Sequence, residues 1–419
     1  MKSEPRLCLI VDAYSTGRFL PSELRKHGFD CVHVQSTPVI PEIYRASFNR
    51  ADFIENIIYE GNLDETLERT SQYDIAFLIV GTESGVELGD ILSEKMGLPS
   101  NKSAFSKARR NKFEMVEALR NAGLGCVNHI KSATVDEILS WANNRGKWPV
   151  VLKPINSAGT DNVIFCESES EIVSAFQRII QSRNLMGQQN SEVLAQEFLD
   201  GTEYFVNTVS VQGKHHIAEI WQYHKRKVPN GGYIYDIEEP LPFEGAVQAK
   251  LRDYIKDVLD ALKIQFGPAH SEVMMIEQRP VLIETGARLA GSILPAAVSK
   301  SMGRNQVELT VESYVHPEKF LEKVASPYSL HQNLLYVSLI SEREGILKSM
   351  SQIDEIRKLP SFFDMYLSIS VGNRLRKTID SLTSPGYVYL IHEDSEVLRK
   401  DYHTIRELER NGLYEVVKA

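Results

Sequence analysis

His270-Ser271-Glu272-Val273-Met274-Met275-Ile276, a polar turn Glu277-Gln278-Arg279-Pro280, then Val281-Leu282-Ile283-Glu284-Thr285-Gly286-Ala287-Arg288: this stretch carries the argument for the whole chain. Two short apolar runs around a polar joint read as a β-hairpin. If Glu272 lies directly opposite Glu284, their carboxylates stand about 5 Å apart on one face. Like charges so placed repel unless a cation sits between them. Two carboxylates, with outside oxygens completing the shell, suit Mg²⁺ carried on nucleotide phosphates. A register slipped by one residue would instead put them on opposite faces. Arg288 follows four residues after Glu284, then Gly291-Ser292, so a cation and a small turn flank the pair.

Upstream, Val150-Val151-Leu152-Lys153 ends a buried strand on a lysine, and Pro154 to Asp161 is a loop of small residues including Ser157, Ala158 and Gly159. Such a loop can bring backbone N–H groups and hydroxyls close to phosphates while the ammonium neutralises charge. Gln196-Glu197-Phe198-Leu199-Asp200-Gly201-Thr202-Glu203 ends an apolar strand in a carboxylate, turns at glycine and reaches a second carboxylate. A purine needs one backbone N–H and one C=O at a strand end, and a ribose hydroxyl needs an acceptor. Each segment alone also fits an ordinary surface turn.

Working outward, Leu7–Val11, Cys31–Gln35 and Asp74–Val80 read as strands, and Pro21–His27 and Gly85–Met96 as helices. This alternation predicts a parallel sheet over residues 1–105. Tyr14-Ser15-Thr16-Gly17 stands where such a sheet presents ligands, but without a GxGxxG there is no dinucleotide signature. A basic helical stretch, 106–122, carries Lys112 and leads into a small α+β unit ending near residue 198. The remaining body, 199–419, reads as antiparallel, with strands at Tyr204–Val211, His216–Tyr223, Leu334–Ile340 and Tyr387–His392.

The 419 residues carry a net charge of -9, with 42% hydrophobic and 25% charged residues. That balance fits a soluble globular protein and offers no general attraction to nucleic acid or anionic membranes. The four cysteines are scattered without ligand spacing, and no apolar run approaches the roughly 20 residues of a membrane span. The expected location is the cytoplasm. No phosphate-loop GxxxxGK[ST], HExxH or GxSxG motif occurs.

Taken in order, with Lys112 upstream, these segments resemble the ATP-grasp superfamily over roughly Lys112 to Gly291. There a lysine before the lid, a lysine within it, an adenine hinge and an acidic pair followed by arginine bind MgATP. Gly267 to Glu272 is similar to the superfamily's G-x-x-H-x-E lead-in. The resemblance implies an ATP-grasp fold, mixed α/β and α+β, with an N-terminal parallel-sheet domain (1–105), a linker helix and small lid domain (106–198), and a larger C-terminal domain (199–419). Glu284 to Gly291, and a tail of Gly386 to His392 before a charged helix, resemble L-amino-acid ligases of the bacilysin-synthetase type, which make dipeptides.

From that resemblance follow ATP and Mg²⁺ as cofactors, with Mn²⁺ as a substitute, and amino acids as small-molecule partners. Lys112, Lys153, Ser157, Ala158, Gly159, Gln196, Glu197, Phe198, Leu199 and Glu203 would bind ATP, and Glu272 and Glu284 the metal. Arg288 would act on the acyl phosphate, with Gly291 and Ser292 beside it. Asp236, followed by Glu238 and Glu239, would face the donor side chain and favour a basic amino acid. One departure stands out: many superfamily members carry a metal-binding asparagine where this chain has Gly286. A ligase with a non-amino-acid substrate and an ATP-binding regulatory protein remain alternatives, and a homodimer stays open.

Overall fold

The computed structural model describes residues 6–157, 161–185, 187–228 and 232–417. The apolar runs at the N-terminus form a four-stranded sheet in the order Asn56–Ile58, Phe29–Gln35, Arg6–Val11, Ile75–Val80, all parallel. The turns leaving the carboxyl ends of Arg6–Val11 and Ile75–Val80 pack backbone against backbone. A Cβ on Gly17 would meet the Gly81 carbonyl oxygen at 2.6 Å, and one on Gly81 would meet that of Asp12 at 2.5 Å. Only glycine fits at this crossing.

A second sheet runs His129–Ser132, Val193–Glu197, Val150–Pro154, Ile164–Cys166, entirely antiparallel. Helices Val135–Arg145 and Glu169–Gln181 close one face through Ile138, Ala142, Ile172, Phe176 and Ile179. The strand His129–Ser132 was not expected from the sequence. Its run of one apolar residue between polar ones carries no strand signature.

The largest sheet has eight antiparallel strands. Their order is Arg279–Gly286, Gly267–Ile276, Thr202–Val211, Lys214–Lys227, Tyr233–Pro240, Asn333–Ser338, Gly386–His392, Phe362–Leu367. Helix Ala246–Ala261 buries Leu251, Ile255, Val258 and Leu259 against one face. Each such side chain contributes roughly 1.5–3 kcal/mol by leaving water. Helix Ser395–Arg410 covers the far strands through Leu398 and Ile405. Among the described residues, no helix is long and apolar enough to cross a membrane.

The basic stretch expected as one helix is two, Ser106–Arg110 and Lys112–Asn121. Asn111 breaks it, with extended backbone and a side-chain oxygen accepting from the N–H groups of Phe113 (3.0 Å) and Glu114 (3.1 Å). Lys112 therefore stands at the first position of a capped helix.

Candidate active site

The hairpin pairs Glu272 directly with Glu284. Its turn is shorter than expected, because Arg279 and Pro280 already pair with Ile276 and Met275. The two turn residues, Glu277 and Gln278, have φ of 45° and 68°, the left-handed pair that a two-residue hairpin requires. From that turn the strands run in register to Val273 and Leu282, and a β-bulge at Ile283 then shifts the pairing by one and brings Glu272 opposite Glu284; both carboxylates line a cleft of about 780 Å³. Glu284 accepts an ion pair from the Lys112 ammonium at 2.6 Å, and the same ammonium donates to the Ser157 carbonyl at 2.9 Å. Glu272 lies 3.5 Å from His270 Nε2 and accepts from the Tyr223 hydroxyl at 3.4 Å. Burial alone would raise the Glu272 pKa, but the hydrogen bond and charge of His270 outweigh it and hold the carboxylate well below its usual range.

Lys153 points into the same cleft, 6% exposed, at the inner end of Val150–Pro154. Burial, then the neighbouring Lys112 charge, pushes its ammonium down to about 8. Glu203 is gripped by Lys225, whose ammonium donates to both carboxylate oxygens at 2.7 Å. Gln196, Phe198 and Leu199 line the cleft, and the buried Gln196 amide nitrogen has no hydrogen-bond partner among the described residues. Phe165, Phe198 and Tyr233 form an aromatic wall, with Phe198 and Tyr233 nearly parallel at 6.3 Å. Two of the expected ATP contacts have protein partners of their own. The Glu197 carboxylate is turned out of the cleft, accepting from Asn128 N (2.8 Å) and Arg145 (2.7 Å), so only its backbone is available there. The Ser157 hydroxyl donates to Asp161 at 2.6 Å. Ala158 and Gly159 lie outside the described residues.

Arg288 enters the cleft beside Gly291 and Ser292. Its Nε donates to Glu83 at 2.9 Å, and Glu83 also pairs with Arg110. Burial would raise Glu83, but Arg110 and then Arg288 bring it down to about 2. Glu83 also accounts for Gly286: a Cβ there would lie 2.7 Å from Glu83 Oε2, so the space of the usual asparagine is filled by a carboxylate from the N-terminal sheet. Glu83 was missed from the sequence, since it sits in a short polar turn 205 positions before Arg288.

Asp236 is a correction. It does not face the cleft: Arg406 donates to it at 2.7 and 3.0 Å, Arg226 at 2.6 Å and Tyr402 at 2.7 Å, all on the other side of the sheet. Asp236 follows the cleft-facing Tyr235 and so points to the opposite face, and a β-bulge then resets the alternation so that Glu238 returns to the cleft. Lys225 pairs with Tyr235 and His224 with Ile237, leaving Asp236 unpaired and shifting the alternation by one. Tyr233 and Tyr235 face the cleft before the bulge, and Glu238 faces it after. Glu239 is engaged by His224 at 2.8 Å. Burial, then the nearby Glu272 charge, pushes Glu238 up to about 8.

Residues 146–296, which hold Lys153, the Gln196–Glu203 segment, the acidic hairpin and Arg288, match the ATP-grasp domain. The chain is 34% identical to dapdiamide A synthase of Enterobacter agglomerans over 408 residues, covering 96% of this chain and 95% of that one. The chain belongs to the ATP-grasp family. It is an ATP-dependent carboxylate–amine ligase. It is also 23% identical to alanine–anticapsin ligase of Bacillus subtilis over 234 residues, 52% of this chain and 49% of that one. In fold it is similar to an L-amino acid ligase from Bacillus licheniformis, with a TM-score of 0.76, 16% identity and complete coverage of both chains. In this ATP-grasp ligase the lysines, the acidic pair and the arginine thus converge on one cleft.

Proposed function

We propose that the protein joins two amino acids into a dipeptide through an aminoacyl phosphate, releasing ADP and phosphate. The observation that carries this reading is the convergence of Lys112, Lys153, the Glu272–Glu284 pair and Arg288 on one cleft. The ammonium groups suit ATP phosphates, and the orphaned Gln196 amide with the Phe165–Phe198–Tyr233 wall suits an adenine. Glu272 and Glu284 would hold Mg²⁺, or Mn²⁺ in its place, with phosphate oxygens and water completing the shell. The metal would neutralise charge on the transferring phosphoryl group.

The donor carboxylate attacks the γ-phosphorus and ADP leaves. The acceptor amine then adds to the acyl carbon and phosphate departs. Both steps gather negative charge on oxygen, so positioned cations do most of the work. Arg288, fixed by Glu83, holds the carboxylate and then the acyl phosphate, for which its planar fork is suited. Gly291 offers a backbone N–H beside the tetrahedral oxyanion, while the Ser292 N–H donates to the Ser15 hydroxyl at 3.4 Å. Glu238, rather than Asp236, is the acid that faces a substrate ammonium. The four-stranded unit carrying Lys153 closes as a lid, since an acyl phosphate must be kept from water. The thiols are free, and ATP use with free thiols fits the cytoplasm.

The test is ADP and phosphate release with ATP, Mg²⁺ and a panel of amino acids, with products identified by mass spectrometry. Release that requires amino acids, together with a dipeptide mass, supports the reading. Release driven only by other carboxylates or amines overturns it.

A further inference from the structure

Past Glu238 the cleft continues onto strands that carry none of the nucleotide or metal residues. Asn333–Ser338, Gly386–His392 and Phe362–Leu367 complete the large sheet, and Tyr336, Tyr387 and Tyr366 project from them into the cleft. The rings form one run. Tyr336 and Tyr387 stack with centroids 4.7 Å apart and 27° between planes, and Tyr387 and Tyr366 follow at 5.3 Å and 30°. The run ends on an open surface: Tyr366 is 46% exposed, and Leu382 on the same rim is 48% exposed.

The run is anchored to the reacting end. The Tyr389 hydroxyl donates to the Ser292 carbonyl at 3.1 Å and accepts from Leu294 N at 3.0 Å, and the Tyr387 ring meets that of Tyr389 edge-on at 5.8 Å. The tyrosines therefore begin beside the Gly291–Ser292 turn. Among the described residues, the cleft lining contributed by these strands and their loops is uncharged, with Ser338, Ser368 and Ser384 between the rings. The nearest charged lining residue is Glu238, which pairs across the sheet with Tyr336 at the start of the run. Beyond Tyr336, at Tyr387 and Tyr366, a charged side chain would lose water with no charged lining residue beside it among the described residues. An aromatic one would stack on the exposed Tyr366 ring.

The geometry points to this end of the cleft as a side-chain subsite for the acceptor amino acid, selective for an aromatic side chain. The inference rests on the dipeptide-ligase reading. The donor carboxylate must lie between the lysines and Arg288, so the amine arrives from the side away from the phosphates, where Ser292 and Tyr387 stand.

The experiment uses the full chain with ATP, Mg²⁺ and a donor that supports turnover, varying phenylalanine, leucine, glutamate and lysine as acceptors. Phenylalanine should exceed leucine in kcat/KM by roughly tenfold, with charged acceptors lower still. Tyr366→Ala should raise the phenylalanine KM to the level of leucine while kcat and the ATP KM hold. Tyr366→Phe should restore the preference, because the ring and not the hydroxyl is used. Equal use of phenylalanine and leucine by the wild type would overturn the subsite. So would a Tyr366→Ala variant that changes only the residue in the first position of the product. Failure of the wider reading looks different: no amino acid then elicits ADP release from the wild type, and both proposals fall together.

Discussion

Lys153 is buried beside a second lysine, so its ammonium is held at about 8 until phosphates arrive. The sign of the effect on nucleotide binding follows. Below pH 8 the group is charged and attracts ATP. Above it, free enzyme must take up a proton to bind, so the Kd for ATP should rise by up to tenfold per pH unit. Lys153→Arg, charged throughout, should flatten that limb; calorimetric titrations from pH 7 to 9.5 decide, and a wild-type Kd constant across the range excludes the role. Glu238 and Asp236 divide at the same scale. Glu238, at about 8 in the empty cleft, must lose its proton to pair with a substrate ammonium, so Glu238→Gln should raise the KM of an amino-acid substrate roughly tenfold at pH 8.5 and less at pH 6.5, with ATP binding unchanged. Asp236→Asn should leave that KM alone and lower the melting temperature, because it weakens the contacts of Arg226 and Arg406. The opposite pattern would restore Asp236 to the site. The sequence displays both acids equally; only the bulge separates them.

The acidic hairpin was legible from its chemistry, two apolar runs, one joint and one glutamate on each strand, but the bulge at Ile283 that sets the glutamates opposite each other leaves no sequence signal. The break at Asn111 was not legible either, since asparagine inside a basic helical stretch reads only as a mediocre helix former. Its value lies in the cap, which starts Lys112–Asn121 with the Lys112 ammonium aimed at Glu284 and Ser157. Asn111→Ala should cost about 1 kcal/mol and lower the melting temperature by a degree or two. It should also weaken ATP binding, because Lys112 is the first residue of that helix. Asn111→Asp, which keeps the capping oxygen, should retain both properties. Thermal melts and nucleotide titrations on the two variants check this, and an alanine variant indistinguishable from wild type would reduce Asn111 to a plain linker.

At the scale of the molecule, alternation and motif order sufficed for the ATP-grasp architecture, but not for how its sheets are joined. Contacts between distant segments leave no periodic trace, and Glu83 is the case in point. It stands in the turn after Ile75–Val80, buried behind the cleft lining, and holds Arg110 and Arg288 together. Its carboxyl is brought down to about 2 from an ordinary 4.5. A depressed carboxylate stabilises the fold above its unfolded pKa, and that stability is lost as pH falls toward the folded value. The window is therefore about 4.5 down to 2, and the shift corresponds to roughly 3 kcal/mol. Glu83→Gln removes the titrating group and leaves two buried guanidinium groups without their anion. It should melt lower at pH 7 and lose less stability than the wild type on acidification from pH 5 to 2.5. Turnover should fall more than ATP affinity, since Arg288 loses its orientation while the lysines keep theirs. Parallel acid profiles for the two proteins would mean that Glu83 has the same pKa folded and unfolded, and the pairing with Arg110 and Arg288 would then contribute nothing to stability.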